Sequence, residues 1–116
     1  MGRLTTHVLD TAHGCPAGGV EIVIYRVNPE RQELGRDSTN ADGRLDKPIL
    51  EADAFVPGIY ELVFHAGQYF RNRNADLPEP PFVDEVVLRF GIADSGQHYH
   101  VPLLVSPWAY STYRGS

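Results

Sequence analysis

The chain has 116 residues, 42% of them hydrophobic, and a formal net charge of −5. That length suits one domain spanning residues 1–116, and the apolar fraction is enough for a packed core, which excludes the disordered class. The negative balance excludes a general phosphate-backbone binder, and no run approaches the ~18 apolar residues of a membrane span, so neither nucleic acid nor a membrane is an expected partner.

Cys15 is the single cysteine, so neither an internal disulfide nor a thiolate zinc cluster is available. The N-terminal residues carry no apolar core of signal-peptide length, and with a lone thiol the expected location is the cytoplasm. Gly2 and Thr6 fit a short myristoylation pattern, but the adjoining residues read as a strand, which is the preferred reading.

Short β-like runs separated by turn signals dominate the chain. The first spans Leu4 to Asp10. The second, Val20 to Val27, is rich in β-branched residues and ends at Asn28-Pro29. A shorter run lies around Gln32 to Arg36. Asn40-Ala41-Asp42-Gly43 is a strong turn, with Gly43 free to take positive φ and Arg44 directly after it. Gly58 precedes a run from Ile59 to His65.

Ala66 to Asn72 is the one expected helix, held to a sheet by Tyr69 and Phe70. Leu77-Pro78-Glu79-Pro80-Pro81 cannot be a central strand, because proline lacks the ladder N–H. Glu85 to Ala93 resumes the strand pattern. Asp94-Ser95-Gly96 reads as a hairpin turn into Gln97 to Val105, and Ala109 to Arg114 forms a last strand. Seven or eight such strands predict an antiparallel sandwich.

Side chains alternate faces along a strand, so parity predicts which residues converge. Thr5, His7 and Leu9 share one face of the first run. Near the end, Tyr99, Val101, Leu103 and Val105 make the better core stripe, which turns His98 and His100 outward together. Ser111, Tyr113 and Gly115 share a face in the last run. A histidine pair at i, i+2 suits two zinc ligands, but no further ligand is identified, so no metal is assigned and two half-exposed histidines are the simpler reading. His13 and His65 read as turn and strand-end residues, and Cys15 has no charge partner nearby in sequence.

Three motifs together resemble the transthyretin-related family, in its 5-hydroxyisourate hydrolase branch. They are Leu4-Thr5-Thr6-His7-Val8-Leu9-Asp10 with Gly14-Cys15-Pro16-Ala17, then Asp42-Gly43-Arg44, then His98-Tyr99-His100-Val101-Pro102-Leu103-Leu104 with the ending Tyr110-Ser111-Thr112-Tyr113-Arg114-Gly115-Ser116. The terminal Tyr-Arg-Gly-Ser is the most specific, since the hormone-carrying transthyretins lack it. The resemblance covers Leu4 to Ser116 and departs mildly at Val105, Trp108 and Ala109.

The resemblance implies an all-β, transthyretin-like (prealbumin-like) sandwich of two four-stranded sheets with one short helix. It also implies a homotetramer, a dimer of dimers, with 5-hydroxyisourate as small-molecule substrate and no cofactor. The catalytic set it implies is His7, Arg44, His100 and Ser116, with His7, Arg44 and Tyr113 binding the substrate. Opening a cyclic amide needs an activated water, for which His7 or His100 is suited, and an oxyanion partner, for which Arg44 is suited. The terminal carboxylate of Ser116 is expected to orient a histidine or Arg44. The main alternative is a non-catalytic carrier of small aromatic ligands.

Overall fold

Alternating burial along the first strand fixes the frame of the whole molecule. The structure, a computed structural model, describes residues 2–73 and 76–115. In β1 (Arg3–Asp10), Leu4, Thr6, Val8 and Asp10 are buried and the residues between them face outward. Leu4 and Val8 are fully buried, each stabilising the fold by ~1.5–3 kcal/mol. A one-residue slip would expose both and push His7 into the core, so the register is strongly held.

In chain order there follow β2 (Cys15–Pro16), β3 (Glu21–Arg26), β4 (Gln32–Ser38), β5 (Leu50–Glu51), β6 (Gly58–His65), α1 (Ala66–Arg73), β7 (Glu85–Ile92), β8 (His98–Val105) and β9 (Tyr110–Thr112). One sheet is four-stranded, in the order β4-β3-β6-β7. The other is five-stranded, in the order β2-β1-β8-β9 with β5 also on β1. Ile22, Ile24, Leu62, Phe64, Val101 and Leu103 fill the space between the sheets. Phe70 of α1 is fully buried and Tyr69 nearly so, as the sequence predicts.

The transthyretin-like sandwich with one α-helix stands, but four local expectations are corrected. The sheets are not both four-stranded, because the two-residue β5 adds to the sheet of β1 as a fifth strand. The pairing is not wholly antiparallel, because β1 and β8 run parallel along their full length. Asp94-Ser95-Gly96 is a turn, with Gln97 N–H donating to the Asp94 carbonyl, yet it closes no hairpin. It carries the chain from one sheet to the other, and that return brings β8 alongside β1 in the same direction. The last strand is also shorter than expected. Pro102 has no N–H to offer, and its carbonyl accepts the Thr112 hydroxyl at 2.7 Å, so the ladder lapses beyond Thr112. It resumes in the same register at the His100–Gly115 bridge.

Candidate active site

The parallel register sets Thr5 against His100 and Arg3 against His98. Strand alternation then gathers Thr5, His98 and His100 on the outer face. There Thr5 Oγ1 lies 2.8 Å from His98 Nε2 and 2.8 Å from His100 Nδ1. The two rings are 6.3 Å apart, centroid to centroid. These residues line a cleft of about 290 Å³ with Thr6, Arg44 and Leu45.

Arg44 reaches the cleft through a turn clamped to β1. Asn40 Oδ1 accepts the backbone N–H of Asp42 at 2.9 Å and of Arg44 at 3.1 Å. The Asn40 N–H donates to the Arg44 carbonyl at 2.7 Å, and Val8 N–H donates to the Gly43 carbonyl at 2.8 Å. Gly43 has φ 76°, and a Cβ there would lie 2.4 Å from the Val8 carbonyl oxygen. Only glycine meets both demands. His7 forms a β-bridge with Arg44, and its Nε2 lies 2.9 Å from the Asp42 carbonyl oxygen. A carbonyl only accepts, so Nε2 of His7 carries the hydrogen. The Arg44 guanidinium has no hydrogen-bond or ion-pair partner among the described residues, which leaves its fork of donors open to a ligand.

The C-terminal tail returns to the same place. Gly115 N–H donates to the His100 carbonyl at 2.7 Å, and a Cβ at Gly115 would lie 3.0 Å from His100 Cδ2. Arg114 folds the other way, 4.1 Å over the Tyr99 ring, and donates to Gln97 Oε1 at 2.8 Å. Ser116 lies outside the described residues. Tyr113, 61% exposed, does not line the cleft of its own subunit. It borders a groove of about 430 Å³ between β7 and the tail, with Arg89, Tyr99, Val101 and Arg114.

Burial in the cleft, then the charges of Arg44, His98 and His7, hold the His100 imidazole below the usual histidine range. Burial, then the charges of Arg3 and Arg114, do the same to His98. Both rings are therefore neutral near pH 7 and able to accept a proton.

The remaining sequence candidates sit elsewhere. His13 Nδ1 is 2.7 Å from Asp10 Oδ2, and His65 lies between Glu21 and Glu85. Cys15 does have a cation beside it, Arg73 Nη1 at 3.5 Å from Sγ, which reaches it from α1 and so was invisible to sequence proximity. Among the described residues no group of three or more His, Cys, Asp or Glu is arranged to hold a metal ion. The residue that sequence reasoning left without a role is Thr5. Parity puts it on the face of His7, but only the parallel β1–β8 pairing sets it between the two histidines.

Comparison with known proteins adds to this geometry. The model of the HIUase/Transthyretin family matches residues 4–115. The 5-hydroxyisourate hydrolase of Pseudomonas aeruginosa is 62% identical over 117 aligned residues, covering 100% of this chain and 93% of that protein. The solved Klebsiella pneumoniae 5-hydroxyisourate hydrolase superposes with a TM-score of 0.83 at 32% identity, over 100% of both chains. The crystal structure of an (S)-allantoin synthase gives a TM-score of 0.94 at 48% identity, over 99% of this chain and 44% of that longer one.

Proposed function

The chain belongs to the HIUase/Transthyretin family, and from that premise we propose that it hydrolyses the cyclic amide of 5-hydroxyisourate, yielding 2-oxo-4-hydroxy-4-carboxy-5-ureidoimidazoline. The observation that carries this reading is His100 sharing a cleft with an Arg44 whose guanidinium has no hydrogen-bond or ion-pair partner among the described residues, in a chain that matches proteins so named over its whole length. Residues 1–116 act as one catalytic domain.

His100 is the general base. Its Nδ1 faces Thr5, which leaves Nε2 for a water molecule. His7 is assigned a different part because, unlike His100, it does not line the cleft, and its Nε2–H is held by the Asp42 carbonyl. His7 instead binds substrate and steadies the Arg44 turn. The water gives a proton to His100 as its oxygen adds to the amide carbonyl carbon. Arg44 donates to the oxyanion that forms. The C–N bond then breaks and the leaving nitrogen takes the proton back from His100, so no net proton is gained or lost by the protein.

Ser116 adjoins Gly115, whose N–H is bound to His100, and this sequence position supports a role for it in orienting His100 or Arg44. Tyr113 binds substrate only if assembly brings it to a cleft, so the active form is a homotetramer, a dimer of dimers. Exposed Phe82, Trp108 and Tyr110 support burial between copies. Among the described residues no helix is long and apolar enough to cross a membrane. A cytoplasmic location is supported by Cys15 being a free thiol.

The test is the ultraviolet decay of freshly generated 5-hydroxyisourate, with mass measured by light scattering in parallel. Wild type should accelerate the decay, and His100→Ala and Arg44→Ala should lose about a hundredfold or more in turnover. Tight binding of aromatic ligands without any acceleration would replace the hydrolase with a carrier.

A further inference from the structure

We propose that Thr5 is a positioning residue that sets the Nδ1–H tautomer on both His98 and His100 and passes a proton between them, making His98 the proton reservoir for the reacting histidine. Both the relay and the direction of the tautomer lock rest on the hydrolase reading, whereas hydrogen counting alone requires that Thr5 donate to no more than one of the two rings. A threonine hydroxyl has one hydrogen to donate. It faces two imidazole nitrogens at equal 2.8 Å distances, so it cannot donate to both.

For His100 to act as a base, Nε2 must be bare and Nδ1 must carry the hydrogen. Nδ1–H then donates to Oγ1, and the Thr5 O–H, with no other acceptor among the described residues, donates to Nε2 of His98. His98 therefore also carries its hydrogen on Nδ1. His7 is the opposite tautomer, Nε2–H, because the Asp42 carbonyl accepts from it.

The same geometry moves charge. When His100 takes the water proton on Nε2, its Nδ1 hydrogen passes to Oγ1 while the hydroxyl hydrogen passes to His98 Nε2. Thr5 still holds one hydrogen, His100 is neutral with Nε2–H facing the cleft, and the positive charge rests on His98. Both hops reverse as Nε2–H is given to the leaving nitrogen. The charged and titratable groups facing His100 are Arg44, from the turn, with His7 from β1 and His98 from β8. Those facing His98 are Arg3 from β1 and Arg114 from the tail. The relay thus moves the charge one ring further from Arg44 and the substrate, onto a ring that faces Arg3 and Arg114.

Nitrogen-15 NMR of the free protein reads the tautomers directly. Wild type should show Nδ1–H at both His98 and His100 and Nε2–H at His7. Thr5→Val, isosteric and well suited to a strand, should let His98 and His100 revert towards the Nε2–H form that solvated imidazoles favour. Its kcat should fall about tenfold or more with KM nearly unchanged. Thr5→Ser should restore both the spectrum and most of the rate. Nε2–H at either His98 or His100 in wild type, or a Thr5→Val variant with full kcat, would overturn the proposal. If the tautomers are paired but wild type leaves 5-hydroxyisourate intact, the hydrolase reading and the relay fall together while the lock stands.

Discussion

His7 and Arg44 face each other across a single antiparallel bridge, and the His7 ring binds the carbonyl of Asp42 in the same turn. The arginine thereby inherits its position from β1, whose register the buried Leu4 and Val8 hold in place. Gly43 is the weak point of that clamp. Replacing it with alanine forces a left-handed residue and a Cβ against the Val8 carbonyl. Gly43→Ala should cost about 1–3 kcal/mol in stability and raise KM as the Arg44 donors swing away. Thermal denaturation and steady-state kinetics read both effects. A variant as stable and active as wild type would mean that the turn is not held by β1.

Arg44 also sets the pH range. With burial first and Arg44 next, the His100 imidazole is held below its ordinary value, so the base form persists as pH falls past about 6.5. The acid limb of kcat/KM therefore lies below that value in wild type. Arg44→Ala removes one repulsive charge and should move the limb upward, though not past the ordinary value, because burial remains. Arg44→Lys keeps the charge without the fork, so the limb should stay low while the rate still falls. A limb that is identical in Arg44→Ala and wild type would separate Arg44 from His100.

Strand parity alone was enough to turn His7, His98 and His100 outward, because alternation is a local property that the buried Leu4, Val8, Tyr99 and Val101 enforce. Pairing partners are not local. Nothing in the order of the runs says that β8 lies parallel to β1, so the place of Thr5 between two histidines was not legible. The turn at Asp94 has ordinary turn residues, and whether the chain then pairs or crosses to the other sheet depends on packing beneath it. Strands β2 and β5 are too short to leave a pattern. Tyr113 shows the limit of one-chain parity. The register puts it on the outer face opposite Pro102, yet the cleft of its own subunit does not reach it.

The tail offers a probe that leaves every functional group in place. A methyl at Gly115 would press on His100 Cδ2 at 3.0 Å and on His100 Cβ at 3.2 Å, while its backbone is not in the left-handed region. The strain of Gly115→Ala thus falls on the histidine. Stability should change by less than about 0.5 kcal/mol, since the site is near the surface and at a chain end. Turnover should drop as the His100 ring shifts from Thr5. Unchanged kcat would show that the ring position is not critical to a few tenths of an ångström.

A second polar cluster, at the far end of β1, governs stability rather than chemistry. The Asp10 side chain is fully buried and accepts from Tyr69 Oη and His13 Nδ1, both at 2.7 Å, and from two backbone N–H groups at 3.0 Å. Burial pushes its carboxyl up, but the bonds from Tyr69 and His13 and the charge of His13 outweigh that, leaving it below the usual carboxylate range. A depressed carboxylate contributes stability that is present above the unfolded value of about 3.9 and lost as pH falls through the folded one. Tyr69→Phe removes one of those bonds and should cost about 1–3 kcal/mol at pH 7. The difference from wild type should shrink once Asp10 is protonated in both, with kcat unaffected because Asp10 lies outside the cleft. Urea unfolding along a pH series from neutral to well below the usual carboxylate range makes the comparison, and a penalty that stays constant along the whole series would show that Tyr69 stabilises by packing alone.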